Sequence, residues 1–487
     1  MQPRVSSGGQ ITGHRLARLL GAWRRHGSRR GSADLAAGIR MLVLDGRLPP
    51  GTGLPAEREV AAALAVSRTM VASAWEQLRA EGLVVSRRGA GSWTTLPAGA
   101  ASAPTRDPFD AGDLIDLARA VPGALPGIAA AVEAAQPRLA AELAHHGYYE
   151  LGLPVLRERI AARFTERGLP TTAAEVLITN GSHNVLAIAL RMLAGPGDRV
   201  LIEQPTYPNS IDAIRAANAL PVPVAMTDDG WDLDGIEAAL RQAAPRLAFL
   251  IVDFHNPTGL RLDAEGRARL AAALRRTRTP AVVDETHVEL DLDGDPADGP
   301  PPLAAFTPEW VIAAGSASKS HWGGLRLGWV RAPAEVITRL AVARRSIDLG
   351  SPVFEQLVLA ELLAGPADAM RERRADLAGR RDVLVDAMRT HCPEWTFRVP
   401  GGGLSLWCRL PAPVGTRIAV TAQNFGVWVV PGPRFAAHAG LERWLRLPYT
   451  QPPEVLVDGV RRLSNAAASV LDRDVPLVGN ALTGPVT

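Results

Sequence analysis

The stretch PAGAASAPTRDPFDAG, which begins at Pro97, is made largely of Ala, Pro, Gly and Ser and has no apolar periodicity. Such a segment offers no face to bury, so residues 97–113 read as an exposed linker, and the chain on either side must fold as separate problems. A length of 487 residues allows this, because single cores stop growing beyond roughly 250–300 residues. Charge divides at the same place. Residues 1–97 hold 14 arginines against 6 acidic residues, while the whole chain has 53 basic and 50 acidic residues, so the remainder is net negative. A basic module on an acidic body points to a polyanionic partner for the first segment.

Within residues 31–96 the pattern is compact. A first helix over about 34–44 ends near DGRLPPG, and two apolar-periodic helices follow in LPAEREVAAALAVSRTMVASAWEQLRAEGLVV. Val60 and Leu64 give one helix its buried side; Val71, Trp75 and Leu78, spaced by four and three, give the next its own. Ser67 stands where an N-cap belongs. After Gly82, LVVSRRGAGSWTTL reads as two short strands around a basic, Gly-containing turn. The sequence is therefore helix, turn, helix and hairpin wing. In that arrangement the second helix enters the DNA major groove with its first residues toward the bases, here Ser67, Arg68 and Thr69. Arg58 opens the preceding helix, and Arg87 and Arg88 lie at the wing tip.

From about residue 114 the β-type runs EVLIT, RVLIE, LAFLIVD and PAVVDE alternate with helical stretches such as NVLAIALRMLA, which predicts an α/β domain with a mostly parallel sheet over 114–470. A large subdomain over about 150–330 and a small C-terminal one over about 331–470 are expected. One residue stands apart. Of the 53 basic side chains, Lys319 is the only lysine. Most surface positions need only a positive charge, which arginine supplies; arginine cannot lose its proton or form an imine, and lysine does both. The survivor invites a covalent role.

Cys392 and Cys408 show neither a paired framework nor metal-ligand spacing, so a structural role in a reducing compartment is expected and no metal site. With no secretory-type leader in MQPRVSSGGQITGHRLARLL and no long apolar run, the expectation is a cytoplasmic protein without membrane contact.

The segment LDGRLPPGTGLPAEREVAAALAVSRTMVASAWEQLRAEGLVVSRRGAGSW closely resembles the GntR-type winged helix. That resemblance implies DNA contacts at Arg58, Ser67, Arg68, Thr69, Arg87, Arg88 and Gly89. Further on, SASKSHWGGLRLGWV resembles the lysine segment of fold-type I pyridoxal-phosphate enzymes. It implies that Lys319 carries the cofactor aldehyde as an aldimine, with Ser316, Ser318 and Arg326 at the phosphate. Asp284, at the end of PAVVDE, fits the carboxylate that holds the pyridine nitrogen. HNPTG resembles the segment whose Asn256 meets the ring hydroxyl, and TNGSHN the helix-opening turn that cradles the phosphate through Gly181, Ser182 and His183. Tyr207 in EQPTYPN takes the place of the ring-stacking aromatic. Tyr148 resembles the tyrosine that reaches a phosphate across a dimer interface, and Arg446 in LRLPYT the arginine that binds a substrate carboxylate. One departure stands out: DETH puts Thr286 and His287 where relatives carry a tyrosine that also contacts the ring hydroxyl.

A GntR-like reader fused to an aminotransferase-like domain resembles the MocR family of bacterial regulators. The resemblance implies a homodimer that binds a double-stranded DNA operator, requires pyridoxal 5′-phosphate, and senses a small amine, an amino acid or the cofactor itself. Two other readings stand beside it: a working aminotransferase with an accessory DNA-binding domain, and a DNA-binding protein whose large domain is only a scaffold.

Overall fold

The computed structural model describes residues 8–21, 23, 31–44, 48, 51–80, 83–87, 91–95, 114–365, 368–438 and 440–471. Two compact units divide at Leu114 and Ile115. The expected linker, the wing-tip residues Arg88 and Gly89, and the side chain of Arg87 lie outside this description.

In the first unit the helices Gly31–Leu44, Glu57–Leu64 and Arg68–Ala80 pack around Leu35, Ile39, Leu42, Val60, Val71, Trp75 and Leu78, with Trp75 only 1% exposed. The first helix starts at Gly31, ahead of the expected residue 34. Between the second and third helices the chain turns through Ala65 in the left-handed region (φ 54°), and the Ser67 hydroxyl accepts the Met70 N–H at 3.2 Å, the expected cap. Strands Val84–Arg87 and Gly91–Thr94 form the antiparallel wing, and Thr52–Leu54 pairs with its inner strand. The sequence reading gave no structure to what precedes Gly31. There, strand Gly8–Gln10 pairs parallel with Thr52–Leu54, and helix Gly13–Leu20 follows.

The second unit is built on an eight-stranded sheet in the order 176–179, 328–331, 311–316, 281–284, 247–250, 199–204, 220–227, 230–231. Pairings from 311–316 through 220–227 are parallel; 328–331 runs antiparallel to both neighbours, and 230–231 antiparallel to 220–227. The central strands are apolar throughout because both faces are covered. Alternation along one strand shows it: Ala248, Leu250 and Val252 pack with helices Pro154–Glu166, Ala264–Thr277 and Val353–Ala364, while Leu247, Phe249 and Ile251 pack with Ser182–Leu193, Pro208–Ala216 and Ala334–Arg344.

A second core lies under a smaller sheet ordered 405–409, 444–448, 427–431, 115–117, covered by helices Asp368–His391, Gly415–Asn424 and Pro453–Leu471. This moves the expected subdomain division near residue 331. Ile337, Leu340, Leu357 and Val358 belong to the cores of the large sheet, so the small subdomain begins at the helix Asp368–His391. It also takes Ile115–Leu117 from the beginning of the unit, paired parallel with Val427–Val429. Cys392 and Cys408 are buried free thiols in its core. Among the described residues no helix is long and apolar enough to cross a membrane.

Candidate functional site

In an open parallel sheet the backbone groups and loops beyond the strand ends are free to hold a ligand. The strands of the large sheet end at Thr179, Gln204, Asp284 and Ser316, and the turns that follow carry Gly181, Tyr207, Thr286 and Lys319. Lys319 lies in the short helical turn Ser318–Trp322, and its Nζ donates to Ala120 O at 2.9 Å. Burial, and next the charge of Arg446, bring its amine down to about 8; Asp284 acts in the opposite direction. An ordinary lysine is almost wholly protonated at neutral pH, whereas about one in ten of these amines is neutral at pH 7.

Burial raises the Asp284 carboxyl above the ordinary carboxylate value, and the hydroxyl and amide of Thr286 and the charge of Lys319 act against that rise. The Thr286 N–H donates to Asp284 Oδ1 at 2.9 Å, its hydroxyl bonds the same oxygen, and Ser182 Oγ lies 3.0 Å from that hydroxyl. His287 is tied through Nδ1 to Phe254 O at 3.0 Å, and burial brings it down to about 4, a neutral imidazole. Of the two residues in the tyrosine position, Thr286 is thus committed to the aspartate and His287 to the backbone.

A cradle forms where helix Ser182–Leu193 begins. Its N-cap Gly181 has φ 90° and no side chain to satisfy the first amides. Arg326 Nη2 is 3.5 Å from Asn180 O and 3.4 Å from where a Cβ on Gly181 would stand. Ser316 Oγ and Ser318 Oγ are 3.0 Å apart. Gly328 permits the close approach, since a Cβ there would lie 2.6 Å from the Gly181 carbonyl carbon. Asp348 fixes the turn from the other side, accepting from Asn180 Nδ2 at 3.1 Å and Asn184 Nδ2 at 3.3 Å while paired with Arg344.

Arg446 projects from strand Trp444–Pro448 and joins the small sheet to the site. Its Nη1 donates to Asn256 Oδ1 at 3.2 Å, Nη2 donates to Ala118 O, and its guanidinium carbon sits 5.1 Å from the Phe435 ring centre. Its buried Nε has no partner. Burial takes it down to about 10, which leaves it charged at neutral pH. Tyr207 precedes helix Pro208–Ala216; its ring meets His183 edge-on at 6.4 Å, and its hydroxyl accepts from Asn209 at 2.8 Å. Tyr148 is 63% exposed and stacks on His146.

Several participants were not read from the sequence: Ala118 and Ala120, which act through backbone carbonyls; Asp348; and the pairs Arg163–Glu289 and Arg167–Glu285 behind Asp284. The last four offered one signal, matching four-residue spacings on a helix and on the segment after Asp284. Nothing local said that the two meet.

In the first unit Ser67, Arg68 and Thr69 are exposed at the start of helix Arg68–Ala80, and Arg58 is exposed in the first turn of the preceding helix. Arg68 Nε lies 3.4 Å from Glu57 Oε2. Small or polar residues face outward while Val71, Trp75 and Leu78 are buried, the division that a groove-entering helix requires.

The fold and site define a lysine-bearing α/β domain of the aminotransferase type behind a helix-turn-helix module. The family model Aminotransferase class I and II matches residues 114–463, and Bacterial regulatory proteins, gntR family, matches 32–93. The chain belongs to the class I and II aminotransferase family, with a gntR-family domain ahead of it. It is similar to the HTH-type transcriptional regulator TauR of Rhodobacter capsulatus, 28% identical and covering 90% of this chain and 97% of that one. The 2-aminoadipate transaminase of Thermus thermophilus is 32% identical over 61% of this chain and 76% of its own length. Among solved structures, the α-aminoadipate aminotransferase LysN of Thermus thermophilus, complexed with N-(5′-phosphopyridoxyl)-L-leucine, superposes with a TM-score of 0.67 at 28% identity, covering 74% of this chain and 94% of that one.

Proposed function

We propose that this chain is a pyridoxal-phosphate-dependent transcription regulator of the MocR type, whose large domain senses an amino compound or the cofactor and thereby changes the affinity of the gntR domain for a double-stranded DNA operator. The observation that carries the reading is Lys319: the sole lysine, half-buried near Arg446 and Asp284, in a chain whose other end carries a gntR-family domain.

The residues present fit the cofactor. Gly181 leaves helix amides uncapped beside Arg326, Ser316 and Ser318, a donor set for a phosphate. Ser182 and His183 open that helix, and Asp284 is a half-buried carboxylate suited to a protonated ring nitrogen. Asn256 would meet the ring hydroxyl, and Tyr207 would supply an aromatic face for the ring. When bound, pyridoxal phosphate supplies an aldehyde that exchanges between the Lys319 amine and an incoming amine. The Lys319 amine has a hydrogen-bond acceptor in Ala120 O, and Arg446 would offer its unpartnered Nε to a carboxylate on the effector. A homodimer gives the exposed Tyr148 a destination, the partner's phosphate cradle, and gives the gntR domains paired half-sites.

Coupling requires the effector to bind the two arrangements with different affinity. The test uses a duplex selected by the protein from a random library, with its affinity measured with cofactor, with amino acids, with both and with neither. A change of about fivefold or more is expected; equal affinity in all four conditions defeats the switch. Many turnovers with amino donors and keto acids would instead establish the chain as a working aminotransferase. Thr286, bonded to Asp284 where relatives place a phenol, is the observation that favours regulation over turnover.

A further inference from the structure

The segment before the gntR match, residues 8–20, is built into the first unit. Strand Gly8–Gln10 adds an edge to the wing sheet, Ile11 N donates to Gly53 O at 3.0 Å, and Ile11 and Leu16 are 6% and 0% exposed in the same core as Trp75. Helix Gly13–Leu20 approaches helix Glu57–Leu64 so closely that a Cβ on Gly13 would lie 2.9 Å from Glu59 O, and the Gly13 N–H donates to Glu59 Oε1 at 2.6 Å.

The docking point matters because of what else it holds. The turn Glu57-Arg58-Glu59 pairs through Glu57 with Arg68, at the head of the recognition helix, and through Glu59 with the head of the added helix. In a helix-turn-helix the first of the two helices crosses the DNA backbone while the second enters the groove. The added helix is therefore latched to the turn nearest the phosphates. Its outward residues are His14, Arg15 and Arg18, contiguous on one helical face opposite Leu16, and among the described residues neither arginine side chain pairs with an acidic group. Two exposed guanidinium groups in this position match the phosphate oxygens of a duplex, which carries one negative charge per roughly 1.7 Å.

We infer that residues 8–20 are a further part of the DNA-reading module, with Arg15 and Arg18 contacting backbone phosphates beside the recognition helix. The inference rests on the gntR domain binding DNA. It needs no operator to be tested, because phosphate contacts are indifferent to sequence.

Full-length protein and Arg15→Gln/Arg18→Gln are titrated with a fluorescent mixed-sequence duplex across a salt series. As a charge-matched control, Arg339→Gln/Arg409→Gln removes two exposed charges from the other unit. Each lost phosphate contact removes about 0.9 from the slope of log K against log salt, so the Arg15/Arg18 variant is expected to fall in slope by about 2 and the control to match wild type. An unchanged slope in the Arg15/Arg18 variant overturns the inference while leaving the DNA reading intact. An equal fall in the control also overturns it, by showing an effect of net charge. Absence of binding by wild type sinks the DNA reading itself and this inference with it.

Discussion

The two sites differ in how they are assembled. The expected DNA contacts of the first unit lie close together in sequence, Arg58 and Ser67 to Thr69 among the described residues, and those four side chains are exposed. The site of the second unit draws on Ala118, Gly181, Tyr207, Asn256, Asp284, Lys319 and Arg446, from both sheets, and burial displaces most of its titratable groups. Exposed charges act additively and are screened by salt; buried ones depend on their neighbours and on pH. Under the proposed function, joining the two would couple a salt-sensitive reader to a pH-sensitive sensor.

The largest expected effect is at Lys319. Lys319→Ala should abolish the visible absorption that develops with pyridoxal phosphate, while affinity for a mixed-sequence duplex, measured without cofactor, stays that of wild type. In wild type the rate of attachment should rise with pH up to about 8, because the neutral amine is the nucleophile and burial, then Arg446, lower its proton affinity. A rate that climbs steadily to pH 10 would show an ordinary lysine.

Next in size is the reverse experiment. Trp75→Ala empties the centre of the smaller core and costs about 3–5 kcal/mol, comparable to the whole margin of a small domain. Duplex binding should disappear and the cofactor absorption persist. Loss of both would break the comparison by showing that the units fold as one. At Arg68 the effect is smaller: Arg68→Ala should weaken duplex binding by about 1–3 kcal/mol if it reads a base, seen as relaxed preference among selected duplexes. Because Arg68 itself is exposed, losing its pair with Glu57 makes the accompanying stability change minor.

The contrast also explains what the sequence disclosed. Helices spaced by three and four residues, the Ser67 cap and the wing are short-range features, and they were legible. Lys319, Asp284 and Asn256 stood out in the sequence for a similar reason, each lying in a local motif at or after the end of a strand, and their roles belong to the proposed function. Pairing across the chain was not legible. Ile115–Leu117 completes a sheet whose other strands begin at Ser405, and helices 334–344 and 353–364 pack on the large sheet although they follow its last strand. Residues 8–20 did carry a helical signal, Leu16, Leu19 and Leu20 at spacings of three and four, but over barely two turns; Ile11 and Leu16 pack into the core of the winged helix. At Thr286 the sequence exposed the missing phenol but not the replacement bond, which depends on side-chain direction.

That bond gives the smallest and most discriminating prediction. Thr286 offers Asp284 a hydroxyl and an amide, both favouring the carboxylate against the burial that opposes it. Thr286→Val keeps the amide and the shape and removes the hydroxyl, a loss of about 1 kcal/mol and hence about fivefold in cofactor affinity at neutral pH. The sign of the pH effect follows. With one donor fewer, the carboxyl of Asp284 moves further up, so the carboxylate is protonated at higher pH and the acid limb of cofactor binding shifts toward neutrality. Thr286→Ser, which restores the hydroxyl, should return both the affinity and the limb. Titrating cofactor affinity against pH for the three proteins decides the matter: coincident acid limbs would mean that Thr286 serves packing alone, and a limb displaced only in the valine variant would make it the residue that keeps Asp284 charged where relatives place a tyrosine.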